Sequence, residues 1–155
     1  MRNHESQLSG PILALDLGQR RVGVAISDPT LAAITRLRPL RRSNWKRLLL
    51  EVSDLVRRFD AQAVVVGWPL RLDGTEGSAA EGAKGIAEKF ALSLDLPVFL
   101  EDERLTSTAA DEKLRAEGCD AAELAARIDS ESAAIILGDF IAGGQLRNRV
   151  SRQSR

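Results

Sequence analysis

The sequence has few of the side chains on which many enzyme classes depend. It contains one cysteine, Cys119, so no disulfide can form within the chain, and this composition suits a reducing cytosol. Its one histidine, His4, lies in the polar stretch 1–10, which argues against histidine-based catalysis and a His-rich metal site. That stretch has no apolar signal-peptide core, and no apolar run approaches the length of a membrane span. We therefore expect a cytoplasmic protein without membrane contact.

The net charge of the chain is zero, but the charges are unevenly distributed along it. The chain of 155 residues has 22 basic and 22 acidic side chains. Residues 1–50 carry nine basic and three acidic groups, residues 51–146 carry nine and nineteen, and residues 147–155 carry four arginines. The basic first third and the basic tail could contact phosphates locally, whereas for any single arginine a solvated position is the simpler interpretation.

The order of predicted strands and helices is clear. An antiparallel hairpin and a third strand come first, and strand–helix alternation follows, so we expect an α/β fold. It comprises a mixed five-stranded sheet, antiparallel in its first three strands, flanked by helices. One domain, 11–144, is expected between a flexible N-terminus, 1–10, and a flexible basic tail, 145–155. Strands are predicted at 11–17, 21–27, 31–40, 63–67 and 97–100, helices at 45–59, 78–94, 106–117 and from Asp129 onward, and a short helical turn at 120–127.

Two local signals refine this pattern. Pro39 lies near the end of the third predicted strand, which suits an edge position because proline has no amide hydrogen for a neighbouring strand. Ser43 and Asn44 precede the helical pattern that starts at Trp45, and both are good N-cap residues.

Carboxylates interrupt the apolar pattern at three places. Asp16 lies inside the first strand, where an unpaired carboxylate is costly to bury. The segment Glu101–Glu103 ends the last predicted strand, and Asp129 starts the last predicted helix. Because strand ends converge at one edge of such sheets, these groups would repel each other unless a cation joined them. Mg²⁺ prefers oxygen ligands, and two such ions can support phosphodiester cleavage without histidine or cysteine.

Each of these features also has an ordinary structural interpretation. Asp16 suits a turn, Glu101–Glu103 suits a solvated strand end paired locally with Arg104, and Asp129 suits a helix N-cap. The segment Gly67–Gly77 is rich in glycine, but its spacing matches no phosphate-binding P-loop. Spacing by itself therefore leaves both interpretations open.

Four segments, in order, resemble the YqgF family, whose members are known as pre-16S rRNA nucleases or Holliday-junction-resolvase-like proteins. The resemblance implies a ribonuclease-H-like fold and a cytoplasmic nuclease that acts on structured nucleic acid. The similar segments are Asp16–Asp28, Val66–Gly77, Leu100–Ser107 and Asp129–Leu137, within residues 11–142.

The resemblance also implies a set of catalytic carboxylates that hold Mg²⁺ or Mn²⁺. Asp16, Glu103 and Asp129 would be the metal ligands, with Asp102 as the alternative to Glu103. We prefer Glu103. Successive strand residues point to opposite faces, so only one of the two neighbours can face the site, and the sequence does not define which one. Two ions could position the attacking water and the leaving oxygen.

Basic positions of the family are matched by Arg20, Arg21 and Arg104, which the resemblance implies as substrate-binding residues that hold phosphates. Asp28 matches as well, and we expect it to have a structural role.

The expected activity is metal-dependent processing of the 5′ end of pre-16S rRNA in ribosome biogenesis. Water would attack the phosphorus in line and leave a 5′-phosphate and a 3′-hydroxyl. One alternative is resolution of four-way DNA junctions, which favours a symmetric homodimer over a monomer. Another is an RNA-binding assembly factor without catalysis, since fold similarity alone does not establish activity. Expected partners are structured rRNA precursor or branched DNA, and the pre-30S ribosomal particle.

Overall fold

The computed structural model describes residues 8–103, 117–118, 121–143 and 148–150, with residues 121–129 described by their backbone only. Within these ranges the chain forms one sheet and the helices that cover it. The elements are β1 (Ile12–Leu17), β2 (Arg21–Ser27), β3 (Ile34–Arg41), α1 (Trp45–Phe59), β4 (Ala63–Trp68), α2 (Ser78–Ser93), β5 (Val98–Asp102), α3 (Ala121–Ala142) and β6 (Asn148–Arg149).

The sheet has the strand order β3-β2-β1-β4-β5-β6. β1, β2 and β3 pair antiparallel, as the sequence predicts, and β4 and β5 extend the sheet in parallel with β1. β3 lies at an edge, which confirms the interpretation of Pro39. Because β1, β4 and β5 run in the same direction, their carboxyl ends meet at one edge of the sheet.

Side-chain alternation divides the core into two layers. On one face, Leu13 and Leu15 of β1 pack with the buried side of α1 and with α2. On the other face, Ile12 and Ala14 pack with α3. The Phe140 ring of α3 lies 5.0 Å from that of Phe99, centroid to centroid, on this second face. We call it the α3 face, and Asp16 belongs to it because Asp16 continues the alternation of Ile12 and Ala14.

α1 shows how local sequence sets an element. Its buried residues Leu48, Val52 and Leu55 recur at helical spacing, as predicted. The side chain of Asn44 accepts a hydrogen bond from the Arg47 amide at 2.9 Å, which confirms Asn44 as the N-cap. The helix ends at Asp60, whose φ of 54° is left-handed and breaks the helical repeat.

Three details differ from the sequence-based expectation. The sheet has six strands instead of five, because Asn148–Arg149, predicted as part of the flexible tail, pair antiparallel with β5. α3 begins at Ala121, so the short turn predicted at 120–127 and the helix predicted from Asp129 are one helix. β3 begins at Ile34 instead of Leu31, which has a left-handed φ of 64° in the preceding turn. The helix predicted at 106–117 falls largely outside the described residues.

Among the described helices, none has both the length and the apolar character required to cross a membrane.

Candidate active site

Asp16 lies near the carboxyl end of β1, opposite Gly23 of β2. It follows four buried residues, Ile12 to Leu15, and is itself half-buried. Just beyond it the chain turns sharply, because the Gly18 amide donates hydrogen bonds to the carbonyls of Asp16 and Arg21, both at 3.0 Å. The tight hairpin therefore holds the carboxylate of Asp16 at the sheet edge on the α3 face.

Glu103 follows the last residue of β5. Its amide donates to the carbonyl of Trp68 at 3.1 Å, which extends the pairing of β5 with β4 by one step. Alternation from Phe99, which packs on the α3 face, places Glu101 and Glu103 on that face as well. The side chain of Glu103 forms a hydrogen bond with Asp16. The structure thus brings together two of the predicted catalytic carboxylates.

This pairing has to cross a strand, since β4 lies between β1 and β5 in the sheet. The backbones of β1 and β5 are therefore about 10 Å apart. Gly67 of β4 occupies the position below the crossing. A Cβ added there would lie 2.7 Å from Oε2 of Glu103 and 2.7 Å from Cδ1 of Ile136 in α3. Because Gly67 has no side chain, the Glu103 carboxyl group can occupy the space above it.

The environment raises the pKa of Glu103 to about 9. Burial contributes most, followed by the negative charge of Asp16, the hydrogen bond with Asp16 and the charge of Asp102. At neutral pH Glu103 therefore keeps its proton and donates it in the hydrogen bond to Asp16. A divalent cation placed at the shared proton would remove the repulsion between the two carboxylates. This all-oxygen donor pair fits Mg²⁺ or Mn²⁺.

Asp102 has a different position from its neighbour. It pairs with Trp68 in the register of β4 and β5, and alternation directs it to the face that α1 and α2 cover. Its charge contributes to the raised pKa of Glu103. The structure thus places Glu103, and not Asp102, on the same face as Asp16.

Asp129 lies inside α3 instead of at a helix start, so it is not the N-cap that the sequence permitted. Its backbone is one helical turn before Ala133, which packs on the α3 face. Its side chain is outside the described part of the chain. Among the described side chains, no group of three His, Cys, Asp or Glu residues is arranged to hold a metal.

Of the predicted phosphate-binding residues, the structure describes two. Arg20 and Arg21 are exposed at the turn between β1 and β2, next to the carboxylates. Arg104 lies outside the described residues. Asp28, at the other end of β2, accepts hydrogen bonds from the amide of Ala33, the hydroxyl of Thr30 and the amide of Ala32, which lower its pKa. It holds a turn, as expected.

Sequence reasoning missed an ion pair between β3 and α3 whose acidic partner is fully buried. Nε of Arg36 in β3 donates to Oε1 of Glu131 in α3 at 2.5 Å, and the Glu131 side chain is 0% exposed. The pair ties α3 to the sheet. Glu131 lies in the segment Asp129–Leu137 that carried the family resemblance, but nothing in the sequence indicates that its partner would come from β3. Gly67 was missed as well, because it reads as the first residue of a loop.

Comparisons with known proteins identify the family of this chain. The model of a family described as "RuvX: Holliday junction resolvase" matches residues 10–143. A "Putative pre-16S rRNA nuclease" of Anaeromyxobacter sp. (strain Fw109-5) is 38% identical over 131 residues, covering 84% of this chain and 96% of the relative. A protein of the same name from Chloroflexus aurantiacus is 40% identical over 130 residues, covering 84% and 85%.

A solved structure extends the comparison to the fold. RuvC of Thermus thermophilus, in complex with a Holliday junction substrate, superposes with a TM-score of 0.56 and 16% identity, over 90% of this chain and 99% of that one. This likeness supports the predicted ribonuclease-H-like fold class. The motif resemblance is confirmed by the family model and by the two relatives, and the chain therefore belongs to the RuvX family, also known as YqgF.

Proposed function

We propose that this protein is a divalent-metal-dependent nuclease that hydrolyses phosphodiester bonds in the precursor of 16S rRNA. The observation that carries the proposal is the hydrogen-bonded pair of Asp16 and Glu103 at the carboxyl edge of the sheet. The names of the relatives at 38–40% identity support the rRNA precursor as substrate. The single cysteine suits action in the reducing cytoplasm, where the substrate would be free or part of a pre-30S particle.

Each residue of the site would have a separate role. Asp16 and Glu103 hold the cation, once Glu103 has released its proton, and Asp129 is the proposed third ligand. When bound, one or two Mg²⁺ or Mn²⁺ ions supply Lewis-acid activation of water and of the scissile phosphate. Arg20 and Arg21 orient the substrate by binding phosphate oxygens beside the carboxylates. Arg104 is proposed for the same task.

A second candidate substrate is a four-way DNA junction. The family description favours it, because it reads "Holliday junction resolvase". Resolution needs two symmetric cuts and hence a homodimer, whereas trimming of one rRNA strand needs only a monomer. A monomeric active species would therefore exclude junction resolution, whereas a homodimer would be compatible with both substrates.

The test is cleavage of a 5′-extended 16S rRNA fragment and of a four-way DNA junction, with and without Mg²⁺ or Mn²⁺. Wild-type protein is compared with Asp16→Asn, Glu103→Gln and Asp102→Asn. Glu88→Gln, an exposed change in α2, is the matched control. We expect cleavage of the rRNA fragment that needs metal, Asp16 and Glu103, with smaller loss in Asp102→Asn.

Two results would count against the proposal. If Asp16→Asn cleaved at the wild-type rate, the assigned site would be wrong. If no variant and no metal gave cleavage while RNA binding persisted, the protein would be a binding factor in ribosome assembly instead of an enzyme.

A further inference from the structure

Four arginines meet at the edge of the sheet where β1 turns into β2 and β3 ends. Arg21 and Arg41 are directly opposite each other in the β2–β3 register. The Arg42 amide donates to the Arg20 carbonyl at 2.8 Å, and Nη1 of Arg42 donates to the Gly18 carbonyl at 2.6 Å. We call Arg20, Arg21, Arg41 and Arg42 the arginine corner.

Arg21 and Arg41 of the arginine corner lie on the same face as the carboxylate pair. Asp16 is opposite Gly23, and Arg21 is two residues before Gly23 on β2. Residues two apart on a strand share a face and are separated by about 7 Å. Arg41, as the cross-strand partner of Arg21, faces the same way. Along the strand direction, Arg21 and Arg41 thus lie about 7 Å further out than Asp16, Arg21 on the neighbouring strand and Arg41 on the strand beyond it.

This arrangement concentrates positive charge at one corner of the sheet. Like charges directly opposite on neighbouring strands destabilise a sheet. Between Gly18 and Leu50 the sequence has eight basic residues and one acid, Asp28. Asp28 lies at the far end of β2, where its carboxylate accepts hydrogen bonds from the turn that follows it. The corner therefore combines an excess of positive charge with a position beside the carboxylate pair.

The first turn of α1 repeats the same charge pattern. It contains Lys46 and Arg47 but no acidic residue. The amino end of a helix carries partial positive charge, so basic residues there are unfavourable unless an acid is near. Arg47 has Glu51 one turn further on, with Nε 3.9 Å from Oε2, and Lys46 lies over the Trp45 ring. Only Arg42, Ser43 and Asn44 separate this turn from Arg41, and the basic surface therefore continues from the arginine corner onto α1.

We propose that the arginine corner binds the phosphate backbone of the nucleic acid one to two nucleotides from the bond to be cut, with Arg41 as its newly assigned member. The proposal rests on the function proposed above. Phosphates neutralise the facing guanidinium groups, and Arg binds them with two parallel hydrogen bonds. Arg42 has a positioning role, because its side chain holds the turn at Gly18. Binding to the backbone gives orientation without base preference.

The experiment measures binding separately from cleavage. All proteins carry Asp16→Asn, and the probes are a labelled 5′-extended 16S rRNA fragment and a four-way DNA junction. Arg21→Gln and Arg41→Gln are tested singly and together. The matched control is Arg57→Gln with Arg58→Gln, two exposed arginines in the last turn of α1. Affinity is recorded between about 50 and 200 mM salt, where phosphate contacts determine the slope.

We expect the double corner variant to bind about tenfold or more weakly, with a salt slope reduced by about 0.7–0.9 for each arginine. Its melting temperature should stay close to that of the Asp16→Asn parent, because removal of the repulsion between Arg21 and Arg41 offsets the loss of the other contacts of Arg21. A purely structural role of these arginines would instead lower the melting temperature. Equal losses on the two probes support backbone binding, and a loss on only one probe supports it for that substrate.

An unchanged salt slope in the corner variants, or an equal loss in the Arg57 and Arg58 control, would overturn the proposal. Its failure differs from failure of the proposed function. If the wild-type protein does not cleave but the corner variants lose affinity, the binding surface stands and the nuclease does not. If cleavage occurs and the corner variants bind normally, the reverse holds.

Discussion

Replacing Gly67 with alanine tests how Glu103 reaches Asp16. The added Cβ would lie 2.7 Å from Oε2 and 2.8 Å from Cδ of Glu103, about 0.7 Å inside ordinary van der Waals contact. It would also lie 2.7 Å from Cδ1 of Ile136, which is 1% exposed and closely packed in α3. Because Ile136 has little room, the more mobile carboxyl group of Glu103 has to move away from Asp16.

The size of the effect follows from this displacement. A shift of about 1 Å in a catalytic group costs about 100-fold in rate, or nearly 3 kcal/mol of barrier. Overpacking next to Ile136 destabilises by about 1–3 kcal/mol, which exceeds the 0.4–1 kcal/mol gained from a less flexible unfolded chain. A domain of ordinary stability, about 5–15 kcal/mol, remains folded after such a loss.

The assay is single-turnover cleavage of the 5′-extended 16S rRNA fragment over a range of Mg²⁺ concentrations, together with thermal unfolding. We expect Gly67→Ala to cleave about 30- to 100-fold more slowly and to need more Mg²⁺. The control is Gly82→Ala in α2, where an added Cβ meets no atom within 4 Å. It should cleave normally and melt slightly higher, because alanine favours a helix over glycine.

A combined variant separates positioning from general damage. If Gly67 acts through Glu103, then Gly67→Ala should add little to the loss already caused by Glu103→Gln. The reasoning would be refuted if Gly67→Ala kept the wild-type rate and Mg²⁺ dependence. It would also be refuted if the two changes multiplied their effects.

Four further predictions concern stability and metal binding. With divalent metal removed by a chelator, the free energy of unfolding should fall as the pH rises from about 4.5 to 9, because Glu103 keeps its proton in this range only in the folded protein. The dependence of this free energy on pH should be weaker in Glu103→Gln. Parallel pH dependences of the two proteins in urea titrations would contradict this. Mg²⁺ at 100 times its Kd should add about 2.7 kcal/mol to the wild-type protein but little to Asp16→Asn, and equal melting shifts would exclude the site. Arg36→Ala should lower the free energy of unfolding by on the order of 3–5 kcal/mol, because it leaves the buried Glu131 without this cation. Glu131→Gln should lower it less, since the side chain of Arg36 is 37% exposed and remains hydrated. Urea unfolding midpoints test this order, and the opposite order would contradict the ion-pair argument. Asn44→Ala should lower stability by about 1 kcal/mol through loss of the cap, and an unchanged melting temperature would show that the cap contributes nothing.

The sequence by itself was sufficient where the physical cause is local. Helical spacing and the cap at Asn44 define α1 with the predicted bounds, Trp45–Phe59. Alternation in β1 places one carboxylate, Asp16, at the end of a buried strand, and the turn at Gly18 returns the chain as β2. These features depend on residues a few positions apart, so a single segment contains the information.

Tertiary structure decided whatever depends on neighbours distant in sequence. The pairing of β5 with β4 sets the phase that turns Glu103, and not Asp102, toward Asp16, and a one-residue change of register would have reversed it. The space above Gly67 exists only because β4 lies between β1 and β5 and α3 covers them. The facing of Arg21 and Arg41 and the burial of Glu131 against Arg36 likewise arise only when separate elements pack, since burial and strand register are properties of the assembled sheet.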